Sequence, residues 1–243
     1  MVQIYKTKTG QLFYLSCQKK AFMRLLLVAA TAFEVGDLMS KVKIQNSKEE
    51  GGQLSTVNCQ LLITGVGMVA TAFALGRELA KNQYDLAINL GIAGSFYRNI
   101  ALGDIVEITE DTLAELGAED DETFLPIAQM GFGESVFKAT KPLTDVYKRA
   151  ILQQARAITV NTVHGNEASI QKIHQRLNPQ IESMEGAAFF YTCREANVPC
   201  IQIRAVSNYV EKRNRDAWQI GLAVKNLNTF AVDLLDYLKV KKL

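Results

Sequence analysis

The feature that most constrains the fold of this chain is a series of short, continuous apolar runs. Each run is bounded by glycine or polar residues and contains mainly aliphatic side chains. Runs of this length without polar alternation are typical of strands buried on both faces of a sheet. The predicted strands lie at residues 25–30, 61–64, 86–90, 105–108, 158–163 and 201–206.

Segments with helical character separate several of these runs, at residues 68–81, 167–177 and 185–197. After the last run, apolar residues recur at helical spacing between Trp218 and Leu238, which predicts a long closing helix. Alternation of buried strands and helices is typical of a largely parallel sheet. We therefore expect an α/β fold with a central mixed, largely parallel sheet flanked by helices.

The length of the chain, 243 residues, favours one large domain over two. Residues 1–22 show no clear period, so we assign them to an N-terminal extension of unknown role and residues 23–243 to the domain. The extension is either an extra edge element or the result of a start placed before Met23. Within the domain, residues 43–58 look like a polar strand, a turn at Gly51 and Gly52, and a second, antiparallel strand.

Composition limits the class of partner. Lys and Arg total 27 against 25 Asp and Glu, a net charge of +2, which gives no electrostatic reason to expect nucleic acid or a membrane surface as a partner. The four cysteines lack CxxC spacing and there are two histidines, so we expect neither a disulfide framework nor a metal site. The longest early apolar run is interrupted by Arg24 and is too short to span a bilayer. We expect a cytoplasmic protein with a small-molecule ligand.

Three polar residues lie just after predicted strands or strand-like segments. Glu34 follows the run at residues 25–30, Glu185 follows a strand-like segment at residues 179–184, and Asn208 follows residues 201–207. Ligands of open α/β sheets bind outside the carboxyl ends of the strands, so these side chains are candidates for a common site. Each also has an ordinary structural explanation. A glutamate at a helix start is stabilised by the helix dipole, and an asparagine can cap a helix or turn the chain.

Six segments carry a resemblance to a known family. They are LLLVAATAFEV, ITGVGMVATA, LAINLGIAGSF, GDIVEIT, IESMEGAAFFYTC and IRAVSNYVEKRNRDAWQIG. In this order they resemble the nucleoside phosphorylase and nucleosidase superfamily, from about Arg24 to the closing helix. The resemblance implies an enzyme that cleaves the N-glycosidic bond of a purine nucleoside, without a metal or organic cofactor, as a homodimer or larger homo-oligomer.

The resemblance also implies roles for the two glutamates. Glu185 matches the residue that holds the ribose hydroxyls, and Met184 matches one that packs against the ribose. Glu34 matches the carboxylate that, in the hydrolytic branch, orients and deprotonates the attacking water. Phosphorolytic relatives instead place an arginine and glycines early in the chain, and a carboxylate there would repel a phosphate dianion. We therefore expect water to be the nucleophile.

Asn208 matches the position that contacts the departing purine. Adenine-specific nucleosidases of the superfamily carry aspartate there. A carboxyl group can give a proton to N7 and accept from the amine of adenine, whereas an amide can donate to N7 or to the O6 of hypoxanthine. The asparagine therefore favours a 6-oxopurine as the leaving base.

Further ligand contacts are implied by two segments. The glycine-rich LGIAGSF segment matches a turn beneath the ligand, which gives Gly91, Ile92, Ala93 and Ser95 as substrate-binding candidates. NTVHG occupies the place of a base-binding loop, which adds Val163 and His164. Arg98, His164 and Arg213 are candidates for holding a 5′ substituent, and Arg204 is expected to brace a strand end. TGVG at residues 64–67 is better explained by close strand–helix packing than by phosphate binding.

The sequence leaves three functional readings open beside the leading one. These are a methylthioadenosine-type nucleosidase, a purine nucleoside phosphorylase, and a catalytically silent nucleoside-binding protein that kept the fold.

Overall fold

A computed structural model of the chain describes residues 2–6, 12–16, 23–48, 57–149 and 151–240. The strands are β1 (Val2–Lys6), β2 (Leu12–Ser16), β3 (Met23–Ala29), β4 (Val57–Ile63), β5 (Leu86–Ser95), β6 (Ile105–Leu113), β7 (Gly117–Asp120), β8 (Thr123–Pro126), β9 (Val136–Lys138), β10 (Gln153–Thr159), β11 (Ile181–Ser183) and β12 (Cys200–Tyr209). The α-helices are α1 (Gly36–Lys48), α2 (Met68–Leu79), α3 (Leu143–Val146), α4 (Glu167–Leu177), α5 (Gly186–Glu195) and α6 (Ile220–Val240).

The central sheet has the strand order β11-β10-β6-β12-β5-β3-β4, and β9 pairs with β6. Most of its pairings are parallel, including β3 with β4 and β5, and β12 with β5. β11 also pairs antiparallel with β5, so five strands close into a ring. In this ring Gly94 of β5 is aligned with Glu182 of β11 on one side and with Asn208 of β12 on the other.

Helices cover both faces of the sheet. On one face α1 and α6 bury Leu38, Leu227 and Leu234 against the strands, in one continuous apolar cluster. On the other face α2 and α5 bury Leu75 and Phe189 in a second cluster. The long aliphatic runs of the strands are needed because the sheet is covered on both sides. The predicted α/β fold with a mixed, largely parallel sheet is confirmed.

The prediction of two antiparallel strands at residues 43–58 was wrong. α1 continues to Lys48, and β4 begins at Val57, where it pairs in parallel with Met23 of β3. Leu38 and Val42 of α1 are buried in the apolar cluster that α6 shares, and Lys41 forms an ion pair with Asp236 of α6. The first half of the segment therefore continues a helix that packs against α6. Gly51 and Gly52 lie outside the described residues.

β1 and β2 pair with each other in an antiparallel ladder that aligns Val2 with Ser16. Over the described ranges, none of the helices combines the length and apolar character that a bilayer crossing requires.

Candidate active site

A cavity of about 410 Å³ lies at the carboxyl ends of β3, β5, β11 and β12. Glu34, Glu185 and Asn208 all line it, although they are far apart in the sequence. β3 and β12 run parallel to β5, so Glu34 and Asn208 come to the same edge of the sheet. β11 pairs antiparallel with the last residues of β5, Gly94 and Ser95, and this pairing brings Glu185 to the same cavity.

The carboxylate of Glu34 is held by three hydrogen bonds. Its Oε2 accepts from the backbone N–H of Thr31 (3.0 Å) and from the Thr31 hydroxyl (2.9 Å), in a capping box that starts the short 3-10 helix Ala32–Val35. Its Oε1 accepts from the backbone N–H of Ile92 (3.1 Å). The residue is 8% exposed, so a buried carboxylate in a fixed orientation faces the cavity.

α6 anchors the segment that carries Glu34. The amide of Asn228, itself buried, donates to the carbonyl of Glu34 (2.8 Å) and accepts from the backbone N–H of Leu38 (3.1 Å). The closing helix therefore fixes the backbone on both sides of the turn that presents this glutamate.

Glu185 follows β11 and occupies the N-cap position of α5. Its Oε1 accepts a hydrogen bond from the backbone N–H of Gly67 (2.9 Å). The TGVG segment thus contacts a candidate catalytic residue directly, a role beyond the strand–helix packing expected from the sequence.

Asn208 lies within β12, next to a bulge between Val206 and Asn208. Its Oδ1 accepts from the Ser207 hydroxyl (2.8 Å), and its Nδ2 donates one hydrogen to the carbonyl of Tyr209 (3.1 Å). The bulge makes room for an extra residue and redirects the side chain. The second N–H of the amide remains for a ligand.

His164 is paired with a buried carboxylate that the sequence analysis did not single out. Glu182 is 4% exposed and accepts from the backbone N–H of His164 (2.9 Å) and from its Nδ1. A carboxylate that accepts at Nδ1 fixes the proton on that nitrogen, so Nε2 is left for other contacts. Both residues line the cavity. The sequence did not indicate Glu182 as a site residue, because it lies inside the strand-like segment at residues 179–184 and not after its end.

A chain of buried polar side chains lies beneath the start of α5. Gln202 accepts from Nη2 of Arg204 (2.9 Å) and donates to Oδ2 of Asp111 (2.9 Å), while the Thr159 hydroxyl donates to Oδ1 of Asp111 (2.8 Å). Burial raises the pKa of Asp111 to about 6, against the lowering effect of these hydrogen bonds and of Arg204. Thr159 in turn accepts from the backbone N–H of Ala187 (2.7 Å), which ties the network to the helix that begins beside Glu185.

Arg204 is 1% exposed and reaches the region of Glu34 over Gly91. A Cβ atom at position 91 would lie 2.6 Å from Nη1 of Arg204 and 3.2 Å from Oε1 of Glu34. Only glycine leaves space for both groups at this point of β5. The expectation that Arg204 braces a strand end stays a prediction.

Five of the other predicted contact residues line the cavity: Met184, Ile92, Ala93, Val163 and His164. Gly91 lies under Glu34. Arg213 also lines it.

Ser95 and Arg98 do not lie at the cavity, so their predicted contacts with the ligand need correction. The Ser95 hydroxyl is fully buried, donates to the carbonyl of Tyr97 (2.9 Å) and accepts from the Tyr97 N–H (3.1 Å), which leaves it no free hydrogen. Arg98 forms an ion pair with Glu211.

The cavity also has lining residues that the sequence did not predict: Glu182, Thr31, Phe33 and Trp218. In the part of the chain that the structure covers, no group of three acidic, histidine or cysteine side chains could hold a metal ion.

Comparison with known proteins agrees with this geometry. Residues 24–238 match the model of the phosphorylase superfamily. The chain is 34% identical to futalosine hydrolase of Streptomyces coelicolor over 174 residues, which cover 69% of this chain and 74% of that protein. It is 30% identical to futalosine hydrolase of Acidothermus cellulolyticus over 215 residues, which cover 84% of this chain and 87% of that protein. This chain belongs to the futalosine hydrolase family of the phosphorylase superfamily.

The fold of this futalosine hydrolase family member is shared with solved nucleosidases. A 5′-methylthioadenosine/S-adenosylhomocysteine nucleosidase from Colwellia psychrerythraea, solved with adenine, superimposes with a TM-score of 0.71 at 22% identity, covering 91% of this chain and 98% of that one. The shared fold agrees with the family resemblance seen in the sequence, which the match of residues 24–238 to the phosphorylase superfamily confirms.

Proposed function

We propose that this protein hydrolyses the N-glycosidic bond of futalosine, releasing hypoxanthine and dehypoxanthine futalosine, a step of menaquinone biosynthesis. Futalosine is an inosine-like nucleoside with a carboxyphenyl-ketone arm at the 5′ position. The observation that carries the proposal is that Glu34, Glu185 and Asn208 line one cavity of about 410 Å³ in a chain of this family.

Cleavage of the C1′–N9 bond builds positive charge on the ribosyl ring, and the bonding electrons leave with the base. In our proposal Glu185 holds the ribose hydroxyls and its carboxylate stabilises that charge. Met184, which precedes it in the cavity wall, packs against the sugar. The hydrogen bond from Gly67 keeps one carboxylate oxygen in place throughout the reaction.

Glu34 is proposed to take a proton from the water whose oxygen bonds to C1′. Its carboxylate is already oriented by Thr31 and Ile92, so little rearrangement is needed when water binds. A phosphate dianion beside this carboxylate would be repelled, which supports hydrolysis over phosphorolysis.

Asn208 is proposed to donate its remaining amide hydrogen to N7 or O6 of the departing base. His164, held by Glu182, forms the other side of the base site, and Val163, Ile92 and Ala93 complete it. Gly91 contributes indirectly, because it leaves space for Arg204 and Glu34 beside the cavity. The electron pair released to the purine is stabilised by these contacts. The base takes up one proton from solvent, and Glu34 returns to solvent the proton that it took from the attacking water, so hypoxanthine leaves neutral and the carboxylate is regenerated.

The proposal is tested by incubating the protein with futalosine, inosine and 5′-methylthioadenosine, with and without inorganic phosphate. We expect hypoxanthine and a free sugar hydroxyl from futalosine, with ¹⁸O incorporated at C1′ from labelled water. A sugar phosphate formed only with phosphate present would indicate a phosphorylase. Adenine released preferentially from methylthioadenosine would indicate the other nucleosidase class. Measurable hypoxanthine binding without cleavage of any nucleoside would favour a silent binding protein.

We also propose a homodimer or larger homo-oligomer. An apolar surface formed by Phe33, Val66, Val69 and Phe73 is 57–78% exposed, and Phe33 and Val66 of this surface also line the cavity. An exposed apolar patch beside a binding site is typical of a subunit interface. Light scattering after size exclusion should give more than one chain per particle, and Val69→Lys should lower that mass. A monomeric parent protein would reject the assembly.

Residues 1–22 are proposed to lie outside the catalytic domain, because the family match begins at residue 24 and the described pairing of β1 is with β2. A protein beginning at Met23 should keep its hydrolytic activity.

We expect the enzyme to work in the cytoplasm, where the buried thiols of Cys59, Cys193 and Cys200 would stay reduced.

A further inference from the structure

The cavity holds one arginine that the reaction chemistry described above does not use. Arg213 lies on the segment after β12 and is the one lysine or arginine among the described residues lining the cavity. Its backbone N–H donates to the carbonyl of Gly165 (3.2 Å), next to His164. Its guanidinium carbon lies 5.4 Å from the centre of the Trp218 ring, which also lines the cavity.

The charge of Arg213 is not matched by a protein carboxylate. No ion pair links it to any acidic side chain of the described residues. Glu211, the nearby acid of the cavity wall, is paired with Arg98, and Arg98 also stacks on Tyr209 at 4.1 Å. Arg213 therefore offers a cation to whatever occupies this end of the cavity.

The remaining acids of the cavity restrict where an anionic ligand group can lie. Glu34, Glu182 and Glu185 are carboxylates committed to hydrogen bonds with the protein, and each would repel a second carboxylate placed beside it. A negatively charged substituent is therefore directed away from them and toward Arg213. The apolar side chains of Phe33, Val66, Val163, Trp218 and Ile220 provide surface for an aromatic ring.

We propose that Arg213 and Trp218 form a subsite for an aromatic carboxylate attached to the 5′ position of the nucleoside. The guanidinium binds the carboxylate, and the indole packs against the aryl ring. This inference rests on the proposed function, since it identifies what holds the arm that distinguishes futalosine from inosine.

The test compares futalosine with its methyl ester, which keeps the ring and loses the negative charge. Binding of the acid and of the ester is measured by isothermal titration calorimetry in a Glu185→Gln background, so that the ligand is not consumed during the titration. If hydrolysis persists in this background, the acid-to-ester ratio is taken from the two kcat/KM values. We expect the acid to bind about 10- to 30-fold more tightly than the ester, as for a charge-assisted hydrogen bond. Arg213→Gln should reduce this preference to about threefold or less, and Arg213→Lys should keep part of it.

Arg215→Gln is the matched control, because it removes an exposed cation two residues away that does not line the cavity. It should leave the acid-to-ester ratio unchanged. Equal binding of acid and ester, or a preference that survives in Arg213→Gln, would overturn the subsite. Hypoxanthine release by the unsubstituted protein is scored separately, so loss of the proposed function and loss of the subsite are distinct results.

Discussion

The substitution Glu185→Gln isolates the charge of the carboxylate at the sugar. Glutamine has the same shape, and its side-chain carbonyl can still accept the 2.9 Å hydrogen bond from the N–H of Gly67. The fold should therefore survive, with a melting temperature within about 3 °C of the parent. The change removes the negative charge and keeps the contact.

The magnitude follows from Coulomb's law. Two unit charges about 4 Å apart interact by about 4 kcal/mol at an effective dielectric constant near 20. The ribosyl ring carries part of a unit charge in the transition state, so we expect a loss of about 3 kcal/mol, or on the order of 100-fold in kcat/KM.

The assay couples hypoxanthine release to xanthine oxidase and follows urate absorbance, with thermal unfolding measured on the same samples. Glu195→Gln is the matched control, since it makes the same change at the other, exposed end of α5 and should alter kcat/KM less than twofold. A Glu185→Gln protein that folds normally and keeps kcat/KM within threefold of the parent would refute the role of this carboxylate.

Three further results are expected. Asn208→Asp should lower kcat/KM for 6-oxopurine nucleosides relative to adenine nucleosides, which is measured by chromatography of the freed bases. An unchanged preference between these two bases would show that the Asn208 amide does not determine it. Gly186→Ala should destabilise the protein by about 3 kcal/mol in urea denaturation, because its Cβ would lie 2.0 Å from Oδ2 of Asp111, whereas Gly221→Ala, with nothing within 4 Å, should not. Because the folded pKa of Asp111 is raised from 3.8 to about 6, its contribution to stability is complete below pH 4 and is lost as the pH rises through 6. The free energy of unfolding should therefore fall by up to about 3 kcal/mol over that window, and an equal fall in Asp111→Asn would show another origin.

The fold was largely predictable from the sequence because buried strands require continuous apolar runs. The helix predicted at 167–177 has those same limits in the structure. The error at residues 43–58 arose because α1 begins at Gly36 and continues to Lys48, so its second half was taken for the start of a separate element.

The site was predictable in part. Glu34, Glu185 and Asn208 follow or end strands, so their meeting could be inferred from the α/β pattern alone. The partners that hold them could not. Gly67 donates through its backbone N–H, which every residue type except proline carries, and Glu182 is joined to His164 only through the folded structure.

The closed ring of strands has a consequence for how such an enzyme can change its substrate. Glu182 and Asn208 stand on the two strands that flank Gly94, so main-chain hydrogen bonding keeps their backbones two strand spacings apart, about 10 Å. In the proposed base site, this spacing sets the width available to a flat bicyclic base. An exchange of the side chain at position 182 or 208 would then change which base is accepted and leave the spacing of the strands as it is, so a new specificity could arise on the same scaffold.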